Sequence, residues 1–187
     1  MKKTDSLIIT LIGKVNAGKT TLFFRLLNID PCRAKISPVA GWTKEIELRP
    51  VYRDTFLADT PGLDDIESAV SRKTLDFKGD TDIFAHVVNA AEGVTETVKN
   101  CSVELFKTGR PVVTIINKID AYNENGQFEL LKTDIYDKLP HIRGGGRVYF
   151  TCASTGEGLS ELRGGILAML EDGQKMLKLA RFMRLNR

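Results

Sequence analysis

The chain has 187 residues, 42% of them hydrophobic, and a formal net charge of +3. This length predicts one domain with its own buried core, and the small charge neither favours nor excludes a nucleic-acid partner. No stretch approaches the ~20 apolar residues that span a bilayer, and we expect no signal peptide because the first apolar run breaks at Gly13. The three cysteines lack metal-ligand spacing and are expected to be reduced thiols, so we expect a cytoplasmic protein.

Strands and helices are predicted to alternate along the chain. The predicted strands lie at about residues 6–12, 45–48, 55–58, 83–88, 111–116 and 148–150, and the predicted helices at about 19–28, 66–77, 94–105, 127–138 and 159–170. Because only a short turn containing Pro50 separates the second and third strands, these two should be antiparallel. The remaining alternation predicts a mostly parallel sheet with helices on both faces, which binds ligands at the carboxyl ends of its strands.

The stretch GKVNAGKTT at residues 13–21 joins the first strand to the first helix. It has the pattern GxxxxGK[ST] of a phosphate-binding P-loop, although a plain glycine-containing turn would also connect these elements. Gly13 and Gly18 permit a close backbone approach that a Cβ would forbid. We expect Lys19 to reach the β- and γ-phosphates and the Thr20 hydroxyl to bind Mg²⁺. The other loop residues expected at the nucleotide are Asn16, Ala17 and Thr21.

The stretch Asp59-Thr60-Pro61-Gly62 has the form DxxG. The pattern is common by chance and recurs at residues 76–79, but only Asp59 directly follows an apolar strand. A carboxylate at that point can hold Mg²⁺ through a water molecule, and the Gly62 N–H can meet a γ-phosphate. The match at 76–79 is interpreted as a coincidence in a polar stretch.

The stretch Asn117-Lys118-Ile119-Asp120 follows the fifth strand. The Asp120 carboxylate can accept hydrogen bonds from the ring N–H and the exocyclic amine of guanine, whereas adenine would leave it unpaired. Asn117 can bond the base edge, and the Lys118 stem can cover the ring. A loop cap after a strand is the alternative. Three small residues after the last strand form a weaker candidate site for the guanine carbonyl, namely Cys152, Ala153 and Ser154.

The motifs GKVNAGKT, DTPG, NKID and CAS, in this order, resemble those of the Ras-like P-loop GTPase superfamily, and NxGKT and DTPGL resemble its Era/TrmE-like branch. The resemblance covers about residues 6–172. It implies the P-loop GTPase fold, an α/β fold with six strands, one of them antiparallel at the edge. It also implies binding of GTP and GDP with Mg²⁺, slow hydrolysis and two switch segments. We expect a GTPase domain over 1–172 and a basic helix or linker over 173–187.

The resemblance implies a threonine in the first switch that ligates Mg²⁺, and Thr43 is the candidate. Trp42 departs from the family pattern and is either a partner anchor or a packed lid. In Ras-type enzymes a glutamine after DxxG orients the attacking water, but Leu63 occupies that position. Water would then be placed by the Thr43 carbonyl, by the Gly62 N–H or by one of the acids that follow, Asp64, Asp65 and Glu67. An N-terminal helix cap is the alternative for these acids.

In TrmE-like GTPases an asparagine at the position of Asn16 helps to coordinate K⁺, so a K⁺ role is implied here, with local shaping of the loop as the alternative. Help from K⁺, a partner or homodimerisation would compensate for Leu63. A GTP-gated, septin-like scaffold with negligible hydrolysis is the alternative function. The tail at 173–187 has five basic residues and no acid. It is expected to pack as a helix, to lead to a further domain, or to contact a membrane surface or ribosomal RNA.

Overall fold

The computed structural model describes residues 6–30, 46–52, 54–62, 80–122, 127–139, 142 and 146–171. Within these ranges one six-stranded sheet is formed by β1 (Leu7–Ile12), β2 (Glu47–Tyr52), β3 (Thr55–Asp59), β4 (Ile83–Asn89), β5 (Val112–Asn117) and β6 (Arg147–Thr151). The strand order is β2-β3-β1-β4-β5-β6, and every pairing is parallel except that of β2 with β3. The predicted mostly parallel sheet with one antiparallel edge strand is confirmed.

The second strand runs further than the sequence predicted. We expected it to end near residue 48 with a turn at Pro50, but β2 continues through Pro50 to Tyr52. A proline is tolerated here because β2 lies at the edge of the sheet, where a strand pairs on one side only. The register shifts between Pro50 and Tyr52, as at a β-bulge.

Helices cover both faces of the sheet, as predicted. They are α1 (Lys19–Leu26), α2 (Glu96–Lys107), α3 (Gln127–Lys138) and α4 (159–171). Apolar residues of α1 and α4 share one core cluster with residues of β1 and β4 such as Ile9 and Val87. Residues of α2 and α3 pack with Val88 and Ile116 in another cluster. The helix predicted at 66–77 lies outside the described residues.

Because helices cover both faces, the inner strands are buried along their length: every residue of β1, β4 and β5 is buried. None of the helices in the described ranges is long and apolar enough to cross a membrane. Gly165 of α4 has a packing reason, since a Cβ there would overlap the Tyr149 side chain of β6. The Arg147 guanidinium also donates to the Gly165 carbonyl at 3.0 Å.

Candidate nucleotide-binding site

The P-loop packs tightly into the fold, and its glycines are needed for two different reasons. A Cβ on Gly13 would overlap the Val87 carbonyl oxygen of β4, so this glycine lets the loop approach the sheet. Gly18 has a φ of 90°, in the left-handed region that favours glycine, and a Cβ there would overlap the Asn117 amide. The expected roles of both residues in close backbone approach agree with this geometry.

The Lys19 side chain lies back over the loop. Its ammonium donates to the carbonyls of Gly13 at 3.0 Å and Lys14 at 2.9 Å, and the residue is only 7% exposed. The helix start beside it carries no side-chain cap, because the N-cap residue is Gly18. By contrast, α2 is capped by Thr95, whose hydroxyl accepts from the Val98 N–H. The first N–H groups of α1, around Thr20 and Thr21, are therefore oriented to receive an anion.

The carboxylate of Asp59 lies directly beside the P-loop. Thr20 Oγ1 donates to Asp59 Oδ2 at 2.7 Å, while Asp59 Oδ1 is buried and has no hydrogen-bond partner among the described residues. Burial raises the pKa of Asp59 to about 6, and the Thr20 hydrogen bond and the Lys19 charge oppose this rise. A hydroxyl and a carboxylate at this separation are the oxygen ligands that Mg²⁺ prefers, directly or through water. The residues thus fit the predicted Mg²⁺ site.

The DxxG segment closes against the P-loop. A Cβ on Gly62 would overlap the Val15 side chain and lie 2.7 Å from the Val15 backbone nitrogen. The Thr60 hydroxyl donates to the Leu11 carbonyl of β1 at 2.7 Å, which fixes the start of the segment. Gly62 therefore lies at the edge of the phosphate loop, where its N–H was predicted to meet a γ-phosphate.

Asn117, the last residue of β5, joins the P-loop to the loop after β6 (residues 152–158, here called the base loop) through its side-chain amide. Its Nδ2 donates to the Ala17 carbonyl at 2.9 Å, and its Oδ1 accepts from the Ala153 N–H at 3.0 Å and from the Thr151 hydroxyl at 3.2 Å. This amide is predicted to bond the base edge, and its described contacts are to the P-loop and to the residues around the end of β6. Ala17 is fully buried in a core cluster, which explains why a small residue stands there.

Asp120 and the loop after β6 face each other. Cys152 Sγ donates to Asp120 Oδ1 at 3.2 Å and lies 2.9 Å from the Ser154 hydroxyl. Asp120 itself is exposed, so its carboxylate is accessible to a base. Lys118 holds a φ of 67°, an uncommon conformation for a long side chain and one that occurs often at functional sites.

Asn16 is exposed and has a φ of 62°, which asparagine adopts more readily than most residues. Local shaping of the loop therefore accounts for part of its presence. Several residues of the sequence analysis lie outside the described residues, namely Trp42, Thr43, Leu63, the acids that follow Leu63, and the tail.

Two sets of contacts at the site were missed by sequence reasoning. Lys14 forms an ion pair of 3.3 Å with Glu92, which also accepts from the Asn89 amide at 2.8 Å and so links the P-loop to the loop after β4. Arg25, in the last turn of α1, donates to the carbonyls of the base loop. Neither set belongs to a sequence motif, because each depends on tertiary proximity across more than 70 residues.

The fold and the site together define a P-loop nucleotide-binding domain with a guanine-type base loop. The sequence profile of the 50S ribosome-binding GTPase family matches residues 8–118, more than half of the chain. The chain belongs to this family of GTP-binding GTPases, and the predicted kinship with the Era-like branch is confirmed.

Several proteins are similar to this chain. GTPase Der of Pseudothermotoga lettingae is 32% identical over 173 residues, covering 86% of this chain and 38% of Der. Era with MgGDPNP and a 16S ribosomal RNA segment is 24% identical with a TM-score of 0.70, covering 88% of this chain and 56% of that one. A variant of Aquifex aeolicus Era bound to GDP·AlF4⁻ is 26% identical with a TM-score of 0.67, covering 86% and 56%. The chain thus spans little more than a third of the Der sequence.

Proposed function

We propose that this chain is a Mg²⁺-dependent switch that binds GTP and hydrolyses it slowly to GDP. The observation that carries the proposal is the pair of Thr20 and Asp59, joined at 2.7 Å at the mouth of the P-loop. The second Asp59 oxygen is a buried acceptor without a partner in the described part of the chain, and a metal-bound water would satisfy it. When bound, Mg²⁺ would neutralise charge on the phosphates.

The chain's own residues have distinct roles in this proposal. The Lys19 ammonium would exchange its loop carbonyls for the β- and γ-phosphates, and the uncapped start of α1 would hold the same phosphates through its N–H groups. Asp120 would select guanine, and Asn117 would keep the phosphate loop and the base loop in register. Thr43 and Gly62 would answer to the γ-phosphate and position water.

We further propose that K⁺ accelerates hydrolysis through Asn16. An exposed amide in the phosphate loop suits a large monovalent cation, and such a cation would offset the missing glutamine at Leu63. Nucleotide-dependent homodimerisation is a second proposed route to acceleration.

We also propose a cytoplasmic location, a GTPase domain over 1–172, and contact of the basic tail at 173–187 with ribosomal RNA or a membrane surface.

Single-turnover hydrolysis with the chain in excess over GTP tests the switch. With Mg²⁺ in NaCl we expect a rate on the order of 10⁻³ s⁻¹ or below. In KCl at equal ionic strength the rate should rise, and EDTA should abolish it. Fast turnover in NaCl would contradict the proposed slow hydrolysis. Tight GTP binding with no turnover in either salt would favour the septin-like scaffold instead.

The variant Asn16→Gly isolates the K⁺ proposal. Glycine accepts the positive φ of this position, so the change removes the amide without straining the loop. We expect the variant to bind GDP as the parent does and to hydrolyse GTP at the same rate in KCl and NaCl. An undiminished KCl effect in Asn16→Gly would remove Asn16 as a K⁺ ligand.

A further inference from the structure

Arg25 reaches from α1 to the base loop. It lies six residues after Lys19, so about 9 Å of helix separates it from the phosphate end of α1. Its Nε donates to the Ala153 carbonyl at 2.9 Å, and its Nη2 donates to the Ser154 carbonyl at 2.6 Å. A guanidinium that donates two bonds to neighbouring carbonyls fixes their orientation as well as their distance.

The carbonyls that Arg25 bonds, those of Ala153 and Ser154, belong to the same loop as the groups that contact Asn117 and Asp120. The Ala153 N–H donates to Asn117, and the Cys152 thiol donates to Asp120. The turn is closed by the Gly156 N–H, which donates to the Cys152 carbonyl at 2.8 Å. Arg25 therefore bonds the carbonyls of a loop whose N–H and thiol groups contact Asn117 and Asp120, so its loss should loosen both.

A second arginine holds α1 in place at this point. Arg163 of α4 donates to the Arg25 backbone carbonyl and, at 2.7 Å, to the Asn28 side chain. The Arg25 carbonyl, in the last turn of α1, also accepts from the Asn28 N–H at 3.1 Å, so Arg163 adds a second donor at the end of this helix. Arg163 thus connects α4 to the end of α1, and Arg25 connects α1 to the base loop.

We propose that Arg25 is a positioning residue for guanine recognition, which sets how long the nucleotide stays bound without touching it. The inference rests on the nucleotide site proposed above. Because Arg25 contacts the base loop and not the P-loop, its loss should speed nucleotide release and leave the phosphate chemistry unchanged.

Dissociation of a fluorescent GDP analogue from the full chain tests this proposal by stopped flow. We expect Arg25→Ala to raise the dissociation rate by about 10-fold, the size expected when a hydrogen bond to a charged group is lost. Arg25→Lys keeps the charge but cannot donate two hydrogen bonds in the fixed geometry of a guanidinium. Its dissociation rate should therefore lie between those of Arg25→Ala and the parent. Lys107→Ala is the control, because Lys107 forms an exposed ion pair with Glu104 at the end of α2, on the side of the sheet where β5 begins and away from the site.

Single-turnover hydrolysis at saturating chain provides the second readout. It should stay within about twofold of the parent in Arg25→Ala, whereas general destabilisation would lower it together with the melting temperature. If Arg25→Ala does not fold, Arg25→Lys carries the test with the same two readouts. A dissociation rate within about twofold of the parent, a rise matched by Lys107→Ala, or a parallel loss of hydrolysis overturns the positioning role. Failure of the parent chain to bind the GDP analogue would instead overturn the nucleotide site.

Discussion

At the scale of single residues, the proposed Mg²⁺-binding role of Asp59 comes with a cost in stability. Desolvation by burial raises its pKa from 3.8 to about 6, the nearby Glu47 adds to the rise, and Thr20 and Lys19 oppose it. At neutral pH the chain without ligand therefore holds an ionised, buried carboxylate. Such a group is stabilised when a cation binds and is unfavourable when none does.

The variant Asp59→Asn should melt at a higher temperature than the parent at pH 7.5 without nucleotide or Mg²⁺. The folded pKa exceeds the unfolded one, so the cost of ionising Asp59 is absent below about pH 3.8 and complete above about pH 6. At about 1.4 kcal/mol per pKa unit, the gain is at most ~3 kcal/mol. Melting curves by circular dichroism at pH 7.5 and pH 4 measure it. An equal gain at both pH values would contradict the explanation.

At the scale of elements, the loops at the carboxyl edge of the sheet are held together by contacts that a single added methyl group would disturb. The DxxG segment touches the P-loop at Gly62 and Val15, and Asn117 bridges the P-loop and the base loop. These loops follow β1, β3, β5 and β6, so the whole candidate site lies at the carboxyl ends of the strands. A shift in one loop must therefore be accommodated by its neighbour.

The variant Gly62→Ala should weaken binding of a GTP analogue by at least about 10-fold, because its Cβ would collide with the Val15 backbone and displace one of the two loops. Fluorescence titration with GTP and GDP analogues measures the change. Gly164→Ala in α4 is the matched control: its Cβ meets nothing within 4 Å, and alanine favours a helix by up to ~1 kcal/mol. Unchanged binding in Gly62→Ala would show that the loops move apart freely.

At the scale of the whole molecule, ligand binding should be visible as added stability. A ligand at 100 times its Kd stabilises the native state by about 2.7 kcal/mol, which raises the melting temperature by roughly 6–9 °C for a chain of this size, at about 2.1 cal/mol/K per residue. GDP with Mg²⁺ should produce this shift and ADP should not. Asp120→Asn should lose the response to GDP and respond to xanthosine diphosphate. An equal shift with ADP would contradict guanine selection.

Much of the fold could be predicted because its strands are continuous apolar runs followed by motif residues. The predicted helix at 127–138 has the observed bounds, and the P-loop and Asp59 lie where the strand ends required. Pro50 was misjudged because local propensity indicates a turn, whereas an edge strand tolerates proline. The Asn117 contacts and the arginine contacts could not be predicted, since they depend on how distant loops face each other.

The Asn117 amide has a consequence for the thermodynamics of ligand capture. Because one side chain bonds both the P-loop and the base loop, ordering either loop should partly order the other. The entropy cost of ordering the two loops would then arise only once when a whole nucleotide binds. A nucleoside alone or a diphosphate alone would incur the same entropy cost but make only half of the contacts. The binding free energy of the intact nucleotide should therefore be more favourable than the sum for its two parts.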